Sequence, residues 1–155
     1  MNLEDAAFLI QAGFKFEFNK VQNATTDALD WLLIAGGISD VSPEPNEEID
    51  QTAYYDGGGQ ASTDVIGKQE VYSFEGHRLY GDPAQDYFYN VLNHQVGNAR
   101  KGTFRVTYPD GAKLVGNATV ANISSPGGAA NSKGEISFEI HFNGLNTFTE
   151  AIAEA

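Results

Sequence analysis

The run Glu135-Ile136-Ser137-Phe138-Glu139-Ile140-His141-Phe142 constrains this chain more than any other feature. Its apolar and polar residues alternate strictly, which puts one set on each face of a β-strand. Such a strand needs a core on one side and water on the other, the signature of an antiparallel sheet. Shorter runs repeat the pattern. Phe14, Phe16 and Phe18 alternate with Lys15 and Glu17; Phe104, Val106 and Tyr108 alternate with Arg105 and Thr107. Tyr72 and Phe74 carry the same signal within residues 69–80, and 112–123 is rich in Val and Thr, with Gly116 read as a bulge. Tyr108-Pro109-Asp110-Gly111-Ala112 places turn residues between two of these runs. With Pro126-Gly127-Gly128 in a loop over 124–134, the segments 103–108, 112–123 and 135–142 read as a meander.

One helix interrupts the strands. Asp82 suits an N-cap, Pro83 the first helical position, and Gln85 a capping-box spacing. Ala84, Tyr87, Phe88, Val91, Leu92 and Gln95/Val96 then recur at helical spacing up to a stop at Gly97. The aromatic stripe reads as core contact. Residues 36–67, with Pro43, Pro45 and Gly57-Gly58-Gly59, form a long polar stretch. Stretches of that length within a domain are functional or disordered, and an extended loop or hairpin leaving the body is expected. The short run Trp31-Leu32-Leu33-Ile34-Ala35 is strand-sized. Residues 1–13 read as an N-terminal arm and 145–155 as a C-terminal tail, helical or frayed from 147 on.

At 155 residues with 41% hydrophobic content, 1–155 is expected to be a single domain with one core. No stretch approaches the ~18 apolar residues of a membrane helix, and the acidic start of the chain is unlike a signal peptide. Cytoplasmic synthesis is therefore expected, with the sequons at Asn23, Asn117 and Asn122 as chance matches. The net charge of −12 argues against adhesion to nucleic acid or anionic membrane. The charge is also uneven. Residues 21–67 hold nine carboxylates and no Lys or Arg, whereas 68–133 hold 7 basic and 5 acidic residues. That polarity suits contact between copies.

Catalytic chemistry finds little support. With no Cys, there is no thiol nucleophile or cysteine-bound zinc. His77, His94 and His141 are far apart in sequence and make no ligand motif. Ser62-Thr63-Asp64-Val65-Ile66-Gly67-Lys68-Gln69 fails as a phosphate loop, with Ser62 in place of Gly and Gln69 in place of Ser/Thr. Carboxylate pairs such as Glu135/Glu139, or the group Glu47, Glu48 and Asp50, occur by chance among 21 acidic residues. No metal, no cofactor and no enzymatic activity are expected.

Several phrases occur together and in order: the Phe-rich strand at 14–18, Trp31-Leu32-Leu33-Ile34-Ala35-Gly36-Gly37-Ile38, Val41-Ser42-Pro43-Glu44-Pro45-Asn46-Glu47, Thr52-Ala53-Tyr54-Tyr55-Asp56-Gly57-Gly58-Gly59, Val71-Tyr72-Ser73-Phe74-Glu75-Gly76-His77-Arg78, Asp82-Pro83-Ala84-Gln85-Asp86-Tyr87 and the Gly-Glu-Ile-Ser-Phe strand at 134–138. Over roughly 14–144 the chain resembles the major tail proteins of phages with long, non-contractile tails, the subunits of the tail tube. The resemblance implies a mainly β fold: two packed antiparallel sheets (a β-sandwich or barrel) with a flanking α-helix and a long protruding loop. It implies hexameric rings that stack into a tube for DNA ejection. Further partners would be the tape measure and tail-terminating proteins, with no membrane partner. It places the protein in the virion tail, assembled in the host cytoplasm.

Charge and resemblance together nominate three residue sets. Asp40, Glu44, Glu47, Glu48, Asp50 and Asp56 form a candidate subunit-contact loop. Arg100, Lys101 and Arg105 form a candidate basic counter-surface, the first two also serving as charge complements to the helix C-terminus. Lys15, Glu17, Glu135, Ser137 and Glu139 are candidates to face a lumen whose negative charge lets DNA slide. Competing readings are a carbohydrate-binding β-sandwich using Tyr54, Tyr55 and Tyr80, another tube or connector subunit such as a type VI secretion tube protein, and a small hydrolase with paired carboxylates.

Overall fold

In a computed structural model, which describes residues 6–25, 28 and 30–151, nearly all strands belong to one antiparallel sheet. The strands are β1 (Lys15–Asn19), β2 (Leu32–Leu33), β3 (Ile38–Glu44), β4 (Glu48–Ala53), β5 (Ala61–Gly67), β6 (Val71–His77), β7 (Lys101–Thr107), β8 (Lys113–Gly127), β9 (Glu135–Phe142) and β10 (Thr147–Thr149). The main sheet runs β2-β1-β7-β8-β9-β6-β3, with β10 also on β8; β4 and β5 make a separate two-stranded sheet.

The main sheet curls on itself, and its core is the reason. Phe16 on β1 meets Phe74 on β6 edge-to-face, with ring centroids 5.3 Å apart. These strands are four steps apart in the sheet, about 19 Å if it were flat. The apolar faces of β1, β7, β6 and β9 therefore close over one another, and the two layers of the fold are halves of one continuous sheet. Phe18, Phe74, Phe88, Phe104, Val106, Val120 and Ile140 are wholly buried. Each such side chain contributes about 1.5–3 kcal/mol. The expected alternation holds on β9, where Ile136, Phe138, Ile140 and Phe142 are buried and the residues between them reach the surface. On β1 it holds in direction only, because Glu17 and Asn19 are buried on the polar side too.

The β7–β8 turn forms as its residues predict. Tyr108 N donates to Ala112 O at 2.7 Å, Gly111 N to Tyr108 O at 2.9 Å, and Ala112 N to the Asp110 carboxylate at 3.0 Å. The β8 bulge sits elsewhere than expected. Register shifts after Ala121, where Asn122 takes a positive φ of 51°. Gly116 pairs normally with Phe104. A Cβ there would meet Asn146 at 2.8 Å, so close packing explains this glycine. The C-terminal segment is also corrected: 147–149 is strand β10 paired with β8, neither helix nor frayed tail. Residues 152–155, like 1–5, lie outside the described residues.

The helical segment spans 83–94 as an α-helical turn (Pro83–Asp86), a π turn (Tyr87–Val91) and a 3-10 turn (Leu92–His94). Asp82 caps it by accepting from Gln85 N. Gln85 does not close a capping box. Its side chain, 2% exposed, donates to Gly36 O at 2.7 Å and His77 O at 3.1 Å and accepts from Leu79 N at 2.8 Å. It thereby ties the helix to the β2–β3 link and the end of β6. The π turn shifts the inward face: Ala84, Phe88, Tyr89 and Leu92 are buried, whereas Val91 is exposed; Val96, also exposed, lies past the helix, which ends at His94 and not at Gly97. Phe88 lies against Phe18 and Phe138, so the helix closes one end of the curled sheet.

Candidate assembly surfaces

Cross-strand partners point to the same face of a sheet, so the register defines the side opposite the core. On it lie Ser73, Glu75 and His77 of β6 beside Glu139, Ser137 and Glu135 of β9. Asp40 and Ser42 of β3 continue it beyond Glu75 and Ser73. Three of the proposed lumen residues, Glu135, Ser137 and Glu139, are thus brought together in the middle of this polar face. A shallow depression of about 580 Å³ there is lined by Glu75, His77, Ser124, Glu135 and Ser137. Asn122 Nδ2 donates to Glu139 Oε1 at 2.6 Å, and His141 Nε2 lies 3.0 Å from the same oxygen. These hydrogen bonds hold the Glu139 carboxyl below its ordinary pKa, against a smaller opposing effect of burial. The alternation of β6 makes Ser73 and Glu75 legible as outward residues, although the nominated residues came from β1 and β9 and none from β6.

Lys15 and Glu17 share that face, but at the β1–β7 end it is covered. Glu17 is buried in an ion pair with Arg105, 2.8 Å from its Nη2. Trp31 lies over the guanidinium, 4.2 Å from the ring centroid. Trp31 is joined in covering it by residues 20–25, pinned where Ala24 N donates to Thr103 Oγ1 and Asn23 N to Asn117 Oδ1. Glu17 is therefore not an open lumen residue in the free chain, nor is Arg105 part of an open basic surface. Among the described residues, the β8–β9–β6–β3 half presents its polar face to solvent. Lys15, with its side chain 55% exposed and 3.9 Å from Glu17, stands at the margin.

The long 36–67 stretch divides. Residues 38–44 are β3, the last strand of the main sheet, and Pro43 on it lacks an N–H, which suits an edge position. Residues 48–67 form the hairpin β4–β5, which is mostly exposed along both strands. Asp50 stands directly opposite Asp64 across it. Like charges so placed destabilise a hairpin, and Thr52 Oγ1 donates to Asp50 at 3.1 Å. The failed phosphate-loop string lies largely on β5 as extended strand. Of the nominated contact residues, Asp40 and Glu44 are on the edge strand, Glu47, Glu48 and Asp50 at the hairpin base, and Asp56 near its tip. Tyr54 and Tyr55 also sit near the tip, whereas Tyr80 stacks on Arg78 by the helix, so Tyr80 is carried apart from the other two.

Intramolecular pairing leaves the charges unequal. Arg78 is buried against Asp86 at 2.9 Å, Lys68 pairs with Glu70 at 3.3 Å, and Arg105 with Glu17. Among the described residues, no ion pair within the chain engages Arg100, Lys101, Lys113 or Lys133, or any carboxylate from Asp40 to Asp64. Among the described residues there is no group of three His, Cys, Asp or Glu able to hold a metal ion. Among the described residues, no helix is long and apolar enough to cross a membrane.

Besides the short β2 and β10, two strands of the main sheet leave an edge unpaired among the described residues. β3 bonds β6 on one side only. The second half of β8, from Val120, pairs with β9 on one side, whereas β7 accompanies only residues 113–119. Between β3 and the β1–β2 edge the curled sheet stays open, exposing a groove lined by Phe14, Phe16, Ile34, Val41, Pro43 and Tyr72.

No protein-family model matches the chain, and no curated protein matches its sequence. Solved structures do match. The tail of an empty gene transfer agent particle, refined with C6 helical symmetry, superposes with a TM-score of 0.67 at 17% identity, covering 92% of this chain and 100% of that one. The tube-terminating cap of the anti-feeding prophage gives 0.58 at 14% identity, covering 97% and 100%. The extended sheath–tube complex of an extracellular contractile injection system gives 0.54 at 14% identity, covering 90% and 88%. The chain shares the fold of components of these tail and tube assemblies.

Proposed function

We propose that this protein is a structural subunit that assembles into stacked hexameric rings, forming a phage tail tube through which DNA passes during ejection. The observation that carries the reading is the half-sheet β8–β9–β6–β3. It has an apolar inner side, a polar outer side rich in carboxylates, and an unpaired edge at each flank. Edges of that kind are satisfied when neighbours in a ring pair them. The fold shared with tail and tube components supports the same reading.

Four strands from each of six copies give a barrel of about 24 strands. At ~4.8 Å per strand, with the usual tilt, its clear bore is about 25–35 Å, wide enough for a DNA duplex. Glu75, Glu135 and Glu139 then face the channel. DNA carries one negative charge per ~1.7 Å of axis, so an acidic wall repels it from every side and leaves it free to slide. The role is mechanical, without turnover or cofactor. The tube ends engage tape measure and tail-terminating proteins, and the protein resides in the virion tail after assembly in the host cytoplasm.

Negative-stain microscopy of the concentrated protein tests the proposal. Hollow tubes or rings with sixfold symmetry are expected. Featureless monomers at every concentration and salt would overturn it.

A further inference from the structure

We infer that the groove between β3 and β1 is the seat for residues 6–10 of a second copy of this chain. The inference rests on the self-assembly reading and names the segment that joins the copies. The groove consists of two adjoining cavities of about 360 and 230 Å³, both bordered by Gln11, Phe14, Phe16 and Val41. A cavity of ~150 Å³ already accepts a benzene-sized group, so each has room for a large side chain.

The chain carries a segment that fits. Ala6-Ala7-Phe8-Leu9-Ile10 is uncharged. Phe8 is fully exposed, and Leu9 and Ile10 are 57% and 79% exposed. Three consecutive large apolar residues left in water call for a partner. The segment does not line its own groove: the 3-10 turn Gln11–Gly13, whose Gln11 and Ala12 border the groove, is closed by Gly13 N to Ile10 O at 2.9 Å and Phe14 N to Gln11 O at 3.1 Å and leaves residues 8–10 in solvent.

The exposed apolar groups of the hairpin and of β10 fit less well. Ile49 and Val65 on the hairpin adjoin Asp50 and Asp64, and the groove rim carries Asp40, so their docking would bring like charges together. Phe148 already packs on Tyr108, with ring centroids 5.5 Å apart.

The chain has no cysteine, so introduced pairs report unambiguously. Full-length Leu9→Cys and Val41→Cys chains are mixed under assembly conditions and oxidised, and the disulfides are mapped by mass spectrometry. Leu9→Cys mixed with Thr63→Cys is the control. Ser39→Cys, at the exposed rim, repeats the measurement without loss of packing. The expected result is an intermolecular 9–41 or 9–39 link about tenfold above the 9–63 link. Equal yields overturn the inference. So does a Leu9→Cys/Val41→Cys chain that links only within itself. Hollow tubes without a 9–41 or 9–39 link would overturn the docking while sparing the tube. Linked dimers that never form tubes would do the reverse.

Discussion

Arg105 donates to Oε1 of Glu17 through both Nε (3.2 Å) and Nη2 (2.8 Å), on the side of the sheet opposite the core. The pair is covered by Trp31. It joins adjacent strands, since Glu17 and Arg105 are cross-strand partners of β1 and β7. Removing one partner strands the other charge in a poorly solvated place. Arg105→Met is expected to cost about 3–5 kcal/mol, with Glu17→Leu/Arg105→Met recovering much of the loss. Urea unfolding of the monomer measures both. A double variant no more stable than the single one would contradict the account.

Gln85 binds three backbone groups on two segments from within the buried helix face. Gln85→Ala leaves Gly36 O, His77 O and Leu79 N without that partner, and a loss of about 2–4 kcal/mol is expected. Gln95→Ala, at an exposed position just past the helix, should change stability by less than about 0.5 kcal/mol. Thermal unfolding of the two variants separates these effects.

Glu139 sets a pH dependence of known sign. Its folded pKa is lowered, chiefly by the hydrogen bonds from Asn122 and His141. The resulting stabilisation is fully present above the ordinary carboxylate pKa and is lost as pH falls through the lowered folded value. Asn122→Ala should move the Glu139 titration upward when followed by carboxyl-carbon NMR. An unchanged titration would show that this bond is not the cause.

The unpaired charges predict how assembly responds to salt. Among the described residues, no ion pair within the chain engages the carboxylates on β3 and the hairpin, or Arg100 and Lys101. If these groups meet between copies, self-association followed by sedimentation weakens as salt rises. Asp64→Lys should stabilise the hairpin locally by about 0.2–1 kcal/mol, through its new partner Asp50, yet weaken assembly. Equal assembly at low and high salt would remove the electrostatic account and leave apolar contact as the driving force.

Amide exchange offers a further comparison. The hairpin residues of β4 and β5 pair almost entirely with each other and are largely exposed. They should exchange quickly in the monomer and become protected in the tube. The same protection in both states would mean that the hairpin makes no contact between copies.

The inward faces of β9 and β7, the helix start at Asp82-Pro83 and the Pro109-Asp110-Gly111 turn were all readable from the residues. Each rests on spacing within a few positions. The misreadings share another origin. Gly116 looked like a bulge because the neighbour it accommodates, Asn146, is thirty residues away. Gln85 looked like a capping residue because its acceptors Gly36 and His77 lie outside the helix. Val91 appeared to belong to the buried stripe because a π turn changes the rotation per residue, and Val96 because the helix ends at His94, short of Gly97.

By itself, then, the sequence determined which side of each strand is apolar, where the chain turns, and that its charge is both large and uneven. Those properties follow from backbone periodicity and local turn chemistry. The tertiary structure alone decided that one sheet curls until Phe16 meets Phe74, and that Glu17 and Arg105 neutralise each other beneath Trp31. It also decided that an apolar groove stays open beside β3. Such outcomes depend on which distant strands pair and how strongly the sheet coils, and side-chain alternation carries no information about either.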